Sequence, residues 1–463
     1  MDNNLTFADF LKDMTSQIHN RDLRSGVISI CDQIPYLGNL NNYCDLLMKF
    51  SFSALWEEKD NISFIALDKC KYINLDGPNR FKMAKAFYKE NKKKLININR
   101  NSHPSSLAKI IYLFSFSDNF HRSSNSMDVS NMEAVLPKFL VINYENKSWI
   151  RMNSQFNNKI TVRKILEEYW TFRSEILTDK VRDNNNNNIL ISKFDNEFNR
   201  VRENLTKNIA KGIQLIDDGI LQKIVLSARI KIKYDSKLYL SQILKKLFHS
   251  NQNSCIYVWK RHGMDITFGA SPEKLFSIKD NNLNLEAVAG TAFSEINNNF
   301  LLRNKKNIRE HQFVIDFLIK CLKELNINKF KKSDLSVKNF GNVSHLQTYF
   351  NASVQNICPF EVLNILHPSP AVCGFPKDIA KEWIETLETF SRGNYASPIG
   401  WIDIEGNADF RVAIRGARYI NQEMQLTAGA GLVKDSICLD EVEEIKLKFE
   451  SIAKQIFLSN IFQ

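Results

Sequence analysis

The stretch "PIGWIDIEGNADFRVAIRGARYINQEMQLTAGAGLV", residues 398–433, is rich in β-branched, aromatic and glycine residues. It reads as a run of strands joined by short turns at "EGN" (405–407) and "NQE" (421–423), because Gly, Asn and their polar neighbours tolerate turn backbones. Upstream, "SCIYVWKRHGMDITFGASPEKLFSI" (254–278) resembles a hairpin turning at "RHG", with a further strand after the Ser-Pro turn. Helices lie between these pieces. Phe194, Phe198, Val201, Leu205, Ile209, Ile213 and Ile216 recur at gaps of three and four, which predicts a helix over 192–219 stopped by Gly219. "RNKKNIREHQFVIDFLIKCLKEL" (303–325) is a long amphipathic helix, and 436–459 a last helix rich in carboxylates and lysines. Successive hairpins with helices inserted between them point to an α+β architecture with antiparallel sheets.

Between the first of these helices and the hairpins lies "LQKIVLSARIKI" (221–232). The two-residue period of a strand puts Ile224, Leu226, Ala228 and Ile230 on a core face and Lys223, Val225, Ser227 and Arg229 on the other. A lysine on a half-buried strand ordinarily reaches for water.

Composition excludes several classes. With 463 residues, 44% hydrophobic and 32 Phe, the chain can bury a substantial core and is not disordered. No run approaches the roughly 18 apolar residues of a membrane span. "MDNNLTFADFLKDM" carries acids where a signal peptide carries basic residues, so a soluble, cytoplasmic protein is expected. The eight cysteines show no C-x-x-C and read as reduced thiols. The eight histidines show no ligand spacing, so any metal should be a hard cation held by carboxylates. A net charge of +11 raises nucleic-acid binding. However, the basic residues sit in short clusters, "KENKKKL" (89–95) and "KFKKSD" (329–334), which read as solvated surface. The same charge would draw a small dianion. "HRSSNSMDVSNME" (121–133) and "RDNNNNNIL" (182–190) read as exposed loops.

Four constellations could carry chemistry, and each has a plain structural explanation. Glu273 in "GASPEKLFSI" could simply face water after a turn. Arg309, Glu310 and His311 could be helix-surface residues. Glu441 and Glu444 at i,i+3, with Lys448 four beyond Glu444, could be helix-stabilising pairs. Gly429 and Gly431 in "AGAGLV" could mark a bulge, or could let a backbone N–H approach a ligand. Together they supply a candidate base, a candidate acid, oxygen ligands for a cation, and donors for a carboxylate.

Across roughly 195–460 the stretches "QKIVLSAR", "FGASPEKL", "LEAVAGT", "NIREHQFV", "SHLQT", "ILHPSPAVCGFP", "FSRGNYASPIGWIDIEGNADFRVAIRGA", "LTAGAGLV" and "EVEEIKLKFE" resemble, in order, the chorismate-utilising enzymes. That family contains the isochorismate, salicylate, anthranilate and aminodeoxychorismate synthases, and the resemblance is strongest to the isochorismate synthases. Residues 1–190 show no specific match. The resemblance implies one large chorismate-binding domain over 1–463, with two packed antiparallel sheets flanked by helices as a four-layer αββα sandwich. Residues 1–190 would be a variable part completing the sandwich and 195–460 the catalytic region.

The resemblance also implies roles. Lys223 matches the family's base and Glu273 its acid, for attack of water at C2 of chorismate and departure of the C4 hydroxyl. Glu310 and Glu444 match Mg²⁺ ligands, with Glu441 supporting them through water. Asn307 stands where the family often has an acid. Arg415, Lys448, Tyr395 and the backbone at Gly429 and Gly431 match the site of the enolpyruvyl carboxylate. Thr291 and His345 match residues near the ring. Lys223 and Ala289 argue against the ammonia-using members, so no glutaminase subunit is expected, and a monomer is expected. Ala371 in "HPSPAV" stands where salicylate synthases usually have Thr, although a salicylate synthase is the alternative reading. A basic scaffold or nucleic-acid-binding protein is the non-enzymatic one. Isochorismate feeds either menaquinone or siderophore synthesis.

Overall fold

The strand Met132–Tyr144 is long enough to belong to two sheets at once. Along one edge it pairs with Ser63–Leu75. Along the other it pairs first with Lys109–Phe114 and then with Lys147–Phe156. Hydrogen bonding therefore divides here into two arms. This is seen in a computed structural model that describes residues 6–18, 26–118, 129–156, 161–178, 194–233, 238–293, 301–340 and 343–456. The Asn-rich stretch 182–190 and most of 121–133 lie outside the described residues.

The first arm runs from Leu95–Arg100 through Gly26–Ile34, Lys147–Phe156, the shared strand, Ser63–Leu75, Ser53–Glu57, Cys255–Lys260, Ile266–Ser271, Gly416–Ile420 and Glu423–Val433 to Lys223–Lys233. The second runs from Lys109–Phe114 through Pro398–Asp403, Ala408–Val412, Lys274–Lys279 and Asn282–Phe293 to Val343–Ser353. Gly26–Ile34 with Leu95–Arg100 is a parallel pair, and the other pairs in both arms are antiparallel.

The arms lie face to face because their alternating side chains leave both faces apolar. Phe52, Trp56, Tyr257 and Trp259 of the first arm share one buried cluster with Ile111, Leu113, Ile399 and Trp401 of the second. The intervening residues point outward and are covered by helices. Phe114 meets Phe81 of the helix Arg80–Lys94, and Tyr112 meets Phe360 of Pro359–Leu366. On the other side Phe139 stacks on Phe172 of Val162–Thr178. The layering is helix, sheet, sheet, helix, as the α+β expectation requires. Strands from residues 26–156 enter both arms.

Residues 398–433 form the expected run of strands with turns at 405–407 and 421–423, but the two hairpins fall in different arms. Pro398–Val412 is a hairpin of the second arm, whereas Gly416–Val433 is a hairpin of the first. The chain crosses between arms at Ala413–Arg415, with Arg415 at a φ of +55°. A second crossing, at Pro272–Glu273, links Ile266–Ser271 to Lys274–Lys279. The crossings are bonded to each other: Val412 N donates to Glu273 O (3.1 Å) and Ala270 N to Arg415 O (3.0 Å). Glycines permit this contact, since a Cβ on Gly416 would lie 2.1 Å from Phe268 O and one on Gly269 would lie 2.8 Å from the Gly416 Cα. The result is a gap at one end of the sandwich with Glu273 and Arg415 on its rim.

The predicted helices form as Phe194–Asp217, Lys305–Glu324 and Cys438–Ile456. The first and last pack on the Lys223–Lys233 and Glu423–Val433 pair. Lys92–Lys94 and Lys331–Lys332 are exposed, as their solvated reading requires. All eight cysteines are free thiols. Among the described residues no helix is long and apolar enough to cross a membrane.

Candidate active site

Lys223 opens its strand with a fully buried side chain, and its Nζ donates to Glu310 Oε1 at 2.9 Å. Glu310 is presented by the helix Lys305–Glu324, whose start is capped where the Asn304 side chain accepts from Asn307 N at 3.0 Å. Gly431 faces this pair from the neighbouring strand. A Cβ there would sit 2.6 Å from Glu310 Oε1 and 3.2 Å from Lys223 Cε, so any larger residue would displace the carboxylate.

Glu310 borders a cavity of about 100 Å³ in the gap between the arms. Glu273, Glu444, Lys448, Arg415, His345, Tyr395, Ala371, Gly429 and Gly431 also line it, with Val225, Val288, Ala289 and Ile414 as its apolar wall. Ten of the thirteen residues singled out from the sequence therefore meet at one place. Lys223 stands behind Glu310. Thr291 pairs through its backbone with His345, and its side chain lies outside the described residues. Glu441 is not part of the lining; its Oε1 takes Lys306 Nζ at 2.5 Å, while its Oε2 is buried with no hydrogen-bond partner among the described residues.

The cavity sorts its ionisable groups. Burial pushes Glu273 up to about 7, against the Lys223 charge, and Glu286 adds to the rise. Burial would raise Glu310 too, but the charge and hydrogen bond of Lys223, then Lys448 and Lys306, hold it below its ordinary value. Burial, then the Arg415 and Lys448 charges, push His345 down to about 3, leaving a neutral imidazole. Burial raises Tyr395 to about 12, which keeps its phenol protonated as a donor. Glu444 accepts from Lys448 Nζ at 2.7 Å, and the same ammonium bonds Gly429 O at 2.8 Å.

Each of the three expected metal carboxylates is thus held by a lysine: Glu310 by Lys223, Glu444 by Lys448 and Glu441 by Lys306. Among the described residues no three His, Cys, Asp or Glu groups converge as a ligand cluster. The donor set still suits a hard cation. Two of the three expected ligands, Glu310 and Glu444, line the cavity, the unpartnered Glu441 oxygen lies one helical turn before Glu444, and the lining has no thiolate.

Sequence reading missed a buried pair beneath the site. Arg392 donates Nε and Nη2 to Glu388 (2.9 and 2.6 Å), Nη1 to Val372 O (2.7 Å) and Nη2 to Val225 O (2.7 Å). Glu388 also accepts from Ser227 N and Oγ. The pair ties the 372 loop to the Lys223 strand, and the i,i+4 spacing in "ETFSR" was its one sequence signal.

The vibriobactin-specific isochorismate synthase of Vibrio cholerae is 30% identical over 259 residues, 54% of this chain and 66% of that protein. The isochorismate synthase MenF of Bacillus subtilis is 29% identical over 258 residues, 54% of each chain. The matches thus span between about half and two thirds of the length of these curated relatives. Among solved structures, the menaquinone-specific isochorismate synthase of Escherichia coli superposes with a TM-score of 0.75 at 18% identity, covering 96% of this chain and 99% of that one. The family described as "Chorismate binding enzyme" matches residues 11–457, and this chain belongs to it.

Proposed function

We propose that the protein is an isochorismate synthase, interconverting chorismate and isochorismate with Mg²⁺. The observation that carries this reading is one cavity lined by Glu273, Glu310, Arg415 and Lys448, with the buried Lys223 bonded to Glu310 directly behind it.

Hydroxide leaves poorly and water attacks poorly, so the reaction needs an acid and a base on opposite partners. Glu273 supplies the acid: near neutral pH a large fraction of it holds a proton for the departing C4 hydroxyl. Lys223, in its neutral form, accepts the proton of the water that attacks C2, and the ring double bonds shift as the C4–O bond breaks. Here its Nζ donates to Glu310, a bond that a neutral amine can keep through one N–H while its lone pair faces the water. Arg415 and Lys448 hold substrate carboxylate, Tyr395 donates to it, and neutral His345 borders the ring without adding charge. Glu310 and Glu444 would hold Mg²⁺, with Glu441 behind them, and the ion would neutralise the ring carboxylate. Ala371 and the apolar Val225, Val288 and Ala289 exclude bulk water. With water as nucleophile no glutaminase subunit is required, and the proposed form is a monomer. The eight free thiols support a cytoplasmic location. The product would serve menaquinone or siderophore synthesis.

Incubation with chorismate and Mg²⁺, resolved by chromatography, tests the reading. Isochorismate should form reversibly without ammonia, and excess chelator should abolish turnover. Salicylate and stoichiometric pyruvate as the main early products would replace it with a salicylate synthase.

A further inference from the structure

Beside the catalytic cavity lies a larger one of about 420 Å³, which the proposed chemistry does not use. Tyr395, Ile414 and Thr427 line both, so a single layer of side chains separates them. A third cavity of about 20 Å³ also adjoins the catalytic one, sharing Pro272, Arg415 and Ile452, and it is too small to pass a dicarboxylate.

The larger cavity is cationic, and its cations differ in how they are neutralised. Arg418 is held by Asp265 at 2.8 Å, and Arg392 by Glu388. Lys231 lies 3.7 Å from Glu423. Arg229 has no carboxylate within ion-pair distance among the described residues. Its Nε donates to Thr427 Oγ1 (3.0 Å), its Nη2 to Arg392 O (3.2 Å), and its guanidinium lies 4.5 Å from the centre of the Phe390 ring. Burial, then the Arg418 charge, lower its pKa to about 10, although Glu388 and Glu423 oppose the fall. With no carboxylate bonded to it among the described residues, this guanidinium is free to take an anion that enters the cavity. Arg229 shares its strand face with Lys223 and is bonded to Thr427, one of the three residues common to both cavities.

We propose that this second cavity is the antechamber through which the dicarboxylate substrate reaches the catalytic cavity, with Arg229 as its first cationic contact before Arg415 and Lys448. The proposal rests on the isochorismate synthase reading. Arg229 thereby acts on capture and not on the chemical step.

Steady-state kinetics with chorismate and Mg²⁺ over a range of ionic strength test it. Arg229→Gln should lower kcat/KM by roughly tenfold at low salt, with kcat held within about twofold. Added salt should narrow the gap from wild type, because screening removes what the charge contributed. Arg229→Lys should recover most of kcat/KM. Equal falls in kcat and kcat/KM would show a merely structural role through Thr427 and overturn the proposal, as would an unaltered kcat/KM. Should Arg229→Gln fail to fold, Ser391→Trp at an exposed position on the cavity lining carries the test, and it should lower kcat/KM while sparing kcat. A wild type that does not turn over chorismate would overturn the underlying reading; an active wild type with indifferent variants would overturn this inference alone.

Discussion

Two carboxylates lining one cavity are driven in opposite directions. Glu273 sits on a short crossing between the arms, where burial dominates and the carboxyl rises to about 7. Glu310 sits on a helix with Lys223 at 2.9 Å and Lys448 and Lys306 nearby, and its carboxyl falls. Residue type is the same; company differs. A carboxyl that keeps its proton is equipped as an acid, and one that loses it is equipped to bind cations. The fold brings them together: the crossing between the arms holds Glu273, the helix Lys305–Glu324 holds Glu310, and both line the same cavity.

The largest expected effect comes from removing either side of the proton transfer. Lys223→Ala and Glu273→Gln should each lower kcat by roughly 10²–10⁴-fold, with chorismate binding retained through Arg415 and Lys448. Equilibrium binding of chorismate separates lost chemistry from lost affinity. Next is the support beneath the site. Arg392→Met breaks a buried ion pair and strands Glu388, so it should destabilise by about 3–5 kcal/mol, read as a lower urea midpoint. Gly431→Ala should cost roughly 10²-fold in kcat, because its Cβ would lie 2.6 Å from Glu310 Oε1. A fold-wide defect, seen as an equal loss of stability in urea, would contradict that local cause.

The pH profile sharpens the contrast between the two carboxylates. Glu273 donates only when protonated, so kcat/KM should fall about tenfold per unit as pH rises well above 7, and Glu273→Gln should lack that limb. Glu441→Gln should have the smallest effect. Glu441 stands outside the cavity, so the variant should raise the Mg²⁺ concentration for half-maximal activity by roughly tenfold without abolishing turnover.

Much of this was legible in the sequence because the signals are local. The period of 192–219, the turn residues around 261–263 and 421–423, and the amphipathic period of 303–325 depend on neighbours a few positions away. Which sheet a strand joins is not local. Ala408–Val412 and Gly416–Ile420 look like consecutive strands of one run, yet they pair with Lys274–Lys279 and Ile266–Ser271 respectively. Only the crossing at Ala413–Arg415 separates them, and no periodicity marks it. Glu388 and Arg392 were missed because an i,i+4 pair near a helix end looks the same whether buried or solvated. The site residues were found through the family resemblance, since each alone had an ordinary surface explanation. Burial lifts the Glu273 carboxyl while the lysines around Glu310 hold it down, a difference that only the folded surroundings supply.

The most direct test of the account is kcat for Lys223→Arg with chorismate and Mg²⁺. Arginine can keep a cation beside Glu310, but its guanidinium holds its proton at any accessible pH. If Lys223 accepts the proton of the attacking water, this variant should lose roughly 10²-fold or more, nearly as much as Lys223→Ala. Retention of most of the wild-type rate would mean that the residue at 223 serves only as a charge, and the assignment of Lys223 as the base would be wrong.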